Sequence, residues 1–297
     1  MLSIFREPEP LQDQGKQDAK FSPIVYYLDM RLTDLKNPFN APIYHEKTLS
    51  STMNEARRLA GQNAVSGTVV CADFQEAGRG RQGRPWFIDQ AGNLMFTIFL
   101  RYGEAVSIPK ALTLRTGLAV SLALEDFAPE LRGAVYVKWP NDVMIGLRPT
   151  QAASKVAGIL LETDGNSVFT GIGVNITQEE FPEVFRSKAA GLVQFLPDLP
   201  ENARFILLEK ILARLHEEIN PSPESGNSSE NGYCWRDILL SRLYKKGETV
   251  VFAEGAADSS RLITGILSGL GSEGELLIIP EGEKNERSFT VGELRVY

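Results

Sequence analysis

The stretch TVVCADFQEAGRGRQGRPWFIDQAGNLMFTIFL, Thr68–Leu100, decides the fold. Thr68 to Gln75 is β-branched and apolar at its start, and Leu94 to Leu100 is a second apolar run of strand length, so both predict buried strands. Between them, Gly78-Arg79-Gly80-Arg81-Gln82-Gly83-Arg84-Pro85-Trp86 carries the spacing G-x-G-x-x-G. A dinucleotide fingerprint needs its third glycine to open a helix, whereas this chain runs on through Asp89 to Asn93 into a strand. A P-loop needs Lys-Ser/Thr where Arg84-Pro85 stands, and a kinase glycine loop needs HRD and DFG motifs that do not follow. The loop therefore joins two strands. Its glycines let the backbone approach a ligand closely, and Arg79, Arg81 and Arg84 place permanent positive charge beside it, which predicts an anionic ligand. A solvated basic hairpin tip is the alternative.

Outward from this loop the pattern is mixed. Ser51 to Glu55 opens a helix through about Ala60, with Thr52 and Glu55 at capping-box spacing. Ala111, Leu114, Leu118 and Leu122 make Pro109 to Ala128 an amphipathic helix. Strands are predicted at Val135–Trp139, Lys155–Thr163 and Ser167–Asn175, and helices at Arg204–Ile219 and around Trp235–Tyr244, with an exposed loop over Asn220–Gly232 between the two helices. From Lys246 on, four short strands, Thr249–Ala253, Leu262–Leu267, Leu276–Ile279 and Ser288–Val291, alternate with glycine-rich turns in the rhythm of a small β-barrel. Met1 to Pro42 holds five prolines and one short apolar patch, and predicts an extension wrapped on the main body, too short for a winged-helix domain. The expected fold is α/β (α+β), a mixed β-sheet flanked by helices, followed by a small β domain.

Composition bounds the function. Hydrophobic residues at 43% and charged residues at 23% fit a globular chain, and 297 residues suit one main domain with a smaller one. The net charge of -7 argues against a general nucleic-acid binder. Cys71 and Cys234 form no CxxC pair, so a reducing cytoplasm is the expected location, and His45 and His216 are too few for a His-rich metal site. No apolar run reaches membrane-spanning length, and the start lacks the apolar centre of a signal peptide.

Three further motifs stand at strand ends. Lys138-Trp139-Pro140-Asn141-Asp142 sets a lysine and an aromatic before a turn. Lys155-Val156-Ala157-Gly158-Ile159-Leu160-Leu161-Glu162 starts an apolar strand with a lysine, and Gly158 is expected to leave space for a ligand above the sheet. Gly171-Ile172-Gly173-Val174-Asn175 ends the next strand with two glycines and an amide, an edge suited to a planar heterocycle. Each is also compatible with an ordinary strand end.

Taken in order, Ser51-Thr52, GRGRQGRPW, KWPND, KVAGILLE and GIGVN closely resemble the catalytic domain of biotin protein ligases, from about His45 to Tyr244. The resemblance implies a class II aminoacyl-tRNA synthetase/biotin ligase-like sheet with a small C-terminal SH3-like β-barrel. It divides the chain into an extension (1–44), a biotin- and ATP-binding catalytic domain (45–244) and the small β domain (245–297). It implies that Ser51, Thr52, Gln75, Arg79, Gly80, Arg81, Lys155 and Gly158 meet biotin or its adenylate. Arg84, Trp86, Lys138, Asn141 and Asn175 would serve ATP. Met53 replaces the asparagine usual in this family after Ser-Thr, and Gln82 replaces a frequent arginine.

The implied reaction joins biotin to AMP with release of pyrophosphate, then passes biotin to a lysine of a biotin carboxyl carrier domain. Lys155, Arg79 and Arg81 would stabilise charge at the phosphorus. Magnesium would arrive with ATP, with no protein metal ligands, and no DNA or membrane partner is expected. A homodimer is left open. The nearest rival is a lipoate ligase, and a rival from another class is a non-catalytic biotin sensor.

Overall fold

A short, largely apolar run flanked by turn formers is covered on both faces when it pairs centrally in a sheet, and β4 (Leu94–Arg101) shows this: every residue but Arg101 is buried. The computed structural model describes residues 31–87, 91–147, 153–183, 188–220, 234–255 and 261–295. Around β4 lie β1 (Arg31–Leu32), β2 (Ile43–Leu49), β3 (Val69–Gln75), β5 (Val135–Lys138), β6 (Asp142–Ile145), β7 (Ser154–Asp164) and β8 (Ser167–Val174). They form one sheet in the order β1-β2-β3-β4-β8-β7-β6-β5. Only β2 and β3 run parallel, joined by the crossover helix α1 (Thr52–Gly61); every other pair is antiparallel. The mixed sheet expected from the sequence is therefore present. Helix α1 packs against β3, β4 and β8, while α2 (Leu112–Phe127) and α3 (Ala203–Ile219) pack on each other and fill the main core.

The helix start differs from the expected capping box. Ser51, not Thr52, is the N-cap, its hydroxyl accepting from the Met53 N–H at 3.2 Å, and Glu55 instead takes the Arg58 guanidinium. Thr52 lies one residue too late to cap, which frees its hydroxyl for the site below. Strands β1, β2 and β6 escaped the sequence reading: β2 carries His45, Glu46 and Lys47 near a sheet edge, and β6 is four residues inside what reads as an Asn-Asp turn. The predicted loop over 220–232 lies almost wholly outside the described residues.

A second sheet follows helix α4 (Trp235–Arg242). It contains β9 (Thr249–Glu254), β10 (Arg261–Leu270), β11 (Leu276–Pro280), β12 (Arg287–Phe289) and β13 (Gly292–Arg295), in the order β12-β11-β10-β9-β13 and antiparallel throughout. Five strands replace the four expected, and the sheet is not closed as a barrel. The edge strands β12 and β13, three and four residues long, follow one another directly in the chain but do not pair. Its inner face shares a core with the main body: Phe252, Leu267 and Ile278 pack with Leu114 and Leu118 of α2, Val137 of β5 and Trp139. No helix among the described residues is long and apolar enough to cross a membrane.

Candidate active site

The loop after β3 returns to β4 as a tight, self-bonded excursion. Arg79 and Pro85 face each other as an isolated bridge, Gly80 N–H donates to the Arg84 carbonyl at 2.7 Å, and Arg81–Gly83 form one 3-10 turn. That turn requires positive φ at Gln82 (57°) and Gly83 (71°), which is why glycine stands at the second position. With residues of β3, β7 and β8 and of β9 and β13, the loop lines a cavity of about 1150 Å³.

At the α1 end the lining is polar and neutral. The Thr52 backbone N–H donates to Gln75 Oε1 at 2.8 Å, its hydroxyl donates to the same oxygen at 3.1 Å, and it shares a 2.9 Å hydrogen bond with the Thr97 hydroxyl. Ser51, Thr52 and Thr97 are buried, so these dipoles are held in place and shielded from water. At the other end the lining is cationic. Lys155 Nζ lies 2.6 Å from Asp142 Oδ1, and Lys138 Nζ lies 3.7 Å from Asp142 Oδ2. Arg81 donates to Asn141 Oδ1 at 3.2 Å, and Asn141 Nδ2 donates to the Ile159 carbonyl at 2.8 Å. Arg79 donates to Asn54 Oδ1 at 2.7 Å.

Burial sets the electrostatics of this end. It pushes the Lys138 ammonium and the Arg81 guanidinium below their usual ranges, with Asp142 opposing in both cases. Burial opposes ionisation of Asp142, but the charges of Lys155, Lys138 and Arg81 overcome it and hold the carboxyl below the ordinary aspartate range. Arg84 donates through Nη1 and Nη2 to the two carboxylate oxygens of Glu293 on β13, at 3.0 and 2.8 Å. This fork raises Arg84 and lowers Glu293 from their ordinary values. Eight cationic side chains, Arg79, Arg81, Arg84, Lys138, Lys155, Lys188, Lys245 and Arg295, line the cavity against two carboxylates, Asp142 and Glu293, so it is built to receive anions.

Every residue given a biotin or ATP contact from the sequence lines this cavity except Asn175. Asn175 is buried just past β8, its N–H donating to the Val156 carbonyl and its carbonyl accepting from Leu192. The space expected above Gly158 is filled by the chain itself: the Trp86 indole lies so close to Gly158 and Gly173 that a Cβ there would fall 2.8 and 2.5 Å from the ring. Lys155 Nζ stands 5.5 Å from the centre of the same ring. The two glycines thus do face a planar heterocycle, but one supplied by the loop. Glu293 and Thr97 were missed. Glu293 lies 209 positions from Arg84, beyond any local pattern, and Thr97 reads as an ordinary β-branched strand residue. Asp142 was seen only as part of a turn. His45 stands apart from the cavity lining and pairs with Asp73, which also accepts from Arg204. Among the described residues no group of three or more His, Cys, Asp or Glu side chains is placed to hold a metal.

Known proteins resemble this chain in sequence and in fold. The profile of the Biotin/lipoate A/B protein ligase family matches residues 46–178. The bifunctional ligase/repressor BirA of Bacillus subtilis is 36% identical over 159 residues, which are 51% of this chain and 46% of that protein, so the chain matches about half the length of this relative. The biotin--[acetyl-CoA-carboxylase] ligase of Paracoccus denitrificans is 30% identical over 237 residues, covering 77% of this chain and 90% of that one. The structure is similar to the biotin protein ligase of Aquifex aeolicus in complex with biotin and ATP, with a TM-score of 0.66, 29% identity, and 85% and 97% of the two chains covered.

Proposed function

The chain belongs to the biotin/lipoate A/B protein ligase family, and on that premise we infer that it is an ATP-dependent biotin protein ligase. The observation that carries this reading is the two-ended cavity, with fixed neutral dipoles from Thr52, Gln75 and Thr97 at one end and a cationic cluster around Asp142 at the other. The neutral end suits a bicyclic urea that both donates and accepts hydrogen bonds. The cationic end suits a carboxylate brought against a triphosphate. Ser51, Thr52, Gln75, Arg79, Gly80, Arg81 and Lys155 take biotin and then its adenylate, and Gly158 contributes by admitting the Trp86 ring; Arg84, Trp86, Lys138 and Asn141 serve ATP, which enters as its magnesium complex. Asn175 serves ATP only by shaping the end of β8.

Two anions must meet. The biotin carboxylate oxygen forms a bond to the α-phosphorus while the bond to pyrophosphate breaks, and Lys155, Arg79 and Arg81 offset the charge that builds on the phosphoryl oxygens. The acceptor lysine amine then attacks the acyl carbon, AMP leaves with the bonding pair, and the amine gives up a proton. The acceptor is the biotin carboxyl carrier domain of a carboxylase, and the reaction is cytoplasmic. DNA has no part in this scheme, and one chain is enough for it, with a homodimer neither needed nor barred.

The test is mass spectrometry of a carrier domain incubated with the protein, biotin and ATP: one biotinyl addition on one lysine is expected, and none sinks the reading. The family name also covers lipoate, so lipoate should compete in the same assay; preferential attachment of lipoate would reassign the substrate.

A further inference from the structure

The turn Lys138–Asp142 is gripped from two sides. Toward the cavity, Asn141 ties it to the Ile159 carbonyl and to Arg81, while Lys138 and Asp142 carry the charges. On the opposite side Trp139, 3% exposed, is sunk in the core shared with the second sheet. Its indole N–H donates to the Gly274 carbonyl at 3.0 Å, and its ring meets Phe252 edge-on at 5.9 Å.

Gly274 lies in the β10–β11 turn with φ +89°, and the fit there is close: a Cβ on Gly274 would fall 2.6 Å from Ala111 Cβ and 3.1 Å from Leu114 Cδ1. Only a glycine lets the turn settle against the start of α2 and reach Trp139. The same sheet carries Glu293, which forks Arg84, on its edge strand β13. Strands β10 and β9 link the two attachments as one hydrogen-bonded unit.

We propose that Gly274 and Trp139 are positioning residues for the nucleotide: the β10–β11 turn holds Trp139 from behind and thereby sets Lys138, Asp142 and the Arg84–Glu293 fork at the spacing a triphosphate needs. This rests on the nucleotide reading of the cationic end of the cavity. It assigns the second sheet a share in triphosphate binding and none in biotin binding, because the Thr52–Gln75–Thr97 set belongs wholly to the main sheet and α1.

The test uses the full chain and three variants. In Gly274→Ala the new methyl meets that of Ala111 at 2.6 Å and must retreat by about 1 Å to reach ordinary carbon contact. A displacement of that size in a positioning element should weaken inorganic tripolyphosphate binding, and raise the KM for ATP in biotin-dependent ATP–pyrophosphate exchange, by roughly ten- to a hundred-fold, with biotin affinity by calorimetry held within about twofold. Ala111→Gly added to Gly274→Ala removes the 2.6 Å collision but keeps the 3.1 Å contact with the flexible end of Leu114 and the backbone penalty at φ +89°, so recovery of tripolyphosphate binding separates position from strain. Trp139→Phe removes the indole donor and part of the buried ring, and reads the same link should Gly274→Ala fail to fold. Biotin and tripolyphosphate affinities falling together, or tripolyphosphate binding unchanged in a folded variant, would overturn the proposal. If the wild type shows no biotin-dependent exchange while tripolyphosphate binding still responds to Gly274, the ligase reading fails and this one stands.

Discussion

Asp142→Asn keeps a side chain's shape and takes one charge from the middle of a cationic cluster. Lys155 Nζ and Lys138 Nζ lie 2.6 and 3.7 Å from its two oxygens. At an effective dielectric of about 20 those pairs are worth roughly 6 and 4 to 5 kcal/mol before desolvation is counted. Burying the carboxylate cancels much of that, and the Lys155 side chain, 31% exposed, loses part of its share to solvent screening. Lys138, already lowered by burial, loses in the variant the chief charge that opposes that fall. The expected net loss is about 2 to 4 kcal/mol, around the lower end of what breaking a buried pair costs.

Urea unfolding followed by tryptophan fluorescence measures this loss, and pH gives it a signature. The folded pKa of Asp142 lies below the ordinary 3.8, so its contribution is present above 3.8 and disappears as pH falls through the lower folded value. The stability gap between wild type and variant should therefore be flat from about pH 7 to about pH 5 and narrow only below 3.8. A variant as stable as wild type at neutral pH, or a gap already closing by pH 5, would refute the argument.

Three further outcomes are expected. Lys155→Ala should nearly abolish biotinyl-adenylate formation with the circular dichroism spectrum unchanged; an active, folded variant would remove Lys155 from the reaction. Arg81→Gly should speed adenylate release about ten- to a hundred-fold through loss of one charge-assisted contact worth about 1.5 to 3 kcal/mol, seen by rapid mixing and as stray labelling of nearby lysines; collapse of adenylation itself would make the loop's role purely catalytic. Cys71, whose thiol burial pushes up to about 12, should resist iodoacetamide at pH 8 in the folded protein while Cys234, the less buried of the two, is alkylated, as peptide mass spectrometry would read directly.

Local patterning was enough for the parts of this protein whose logic is local. The apolar runs of β3, β4, β7 and β8 and the periodic faces of α2 and α3 are legible because burial of a strand or helix leaves a period in the chain itself. The glycine-arginine loop is legible because tight turning and close charge both demand particular residues in sequence. Strands β1, β2 and β6 were not: β1 and β6, two and four residues long, are too short to show a period, and β2 is largely half-exposed, with His45, Glu46 and Lys47 interrupting its apolar run. Only the tertiary structure decided what the charges do. It set Asp142 among Lys138, Lys155 and Arg81, brought Glu293 to Arg84 across 209 residues, and laid Trp86 over Gly158 and Gly173. It also turned Trp139 away from the cavity to meet Gly274. Charge pairing and steric fit depend on distances in space, and where non-consecutive strands pair, as at β4–β8 and β9–β13, sequence separation carries no information about those distances.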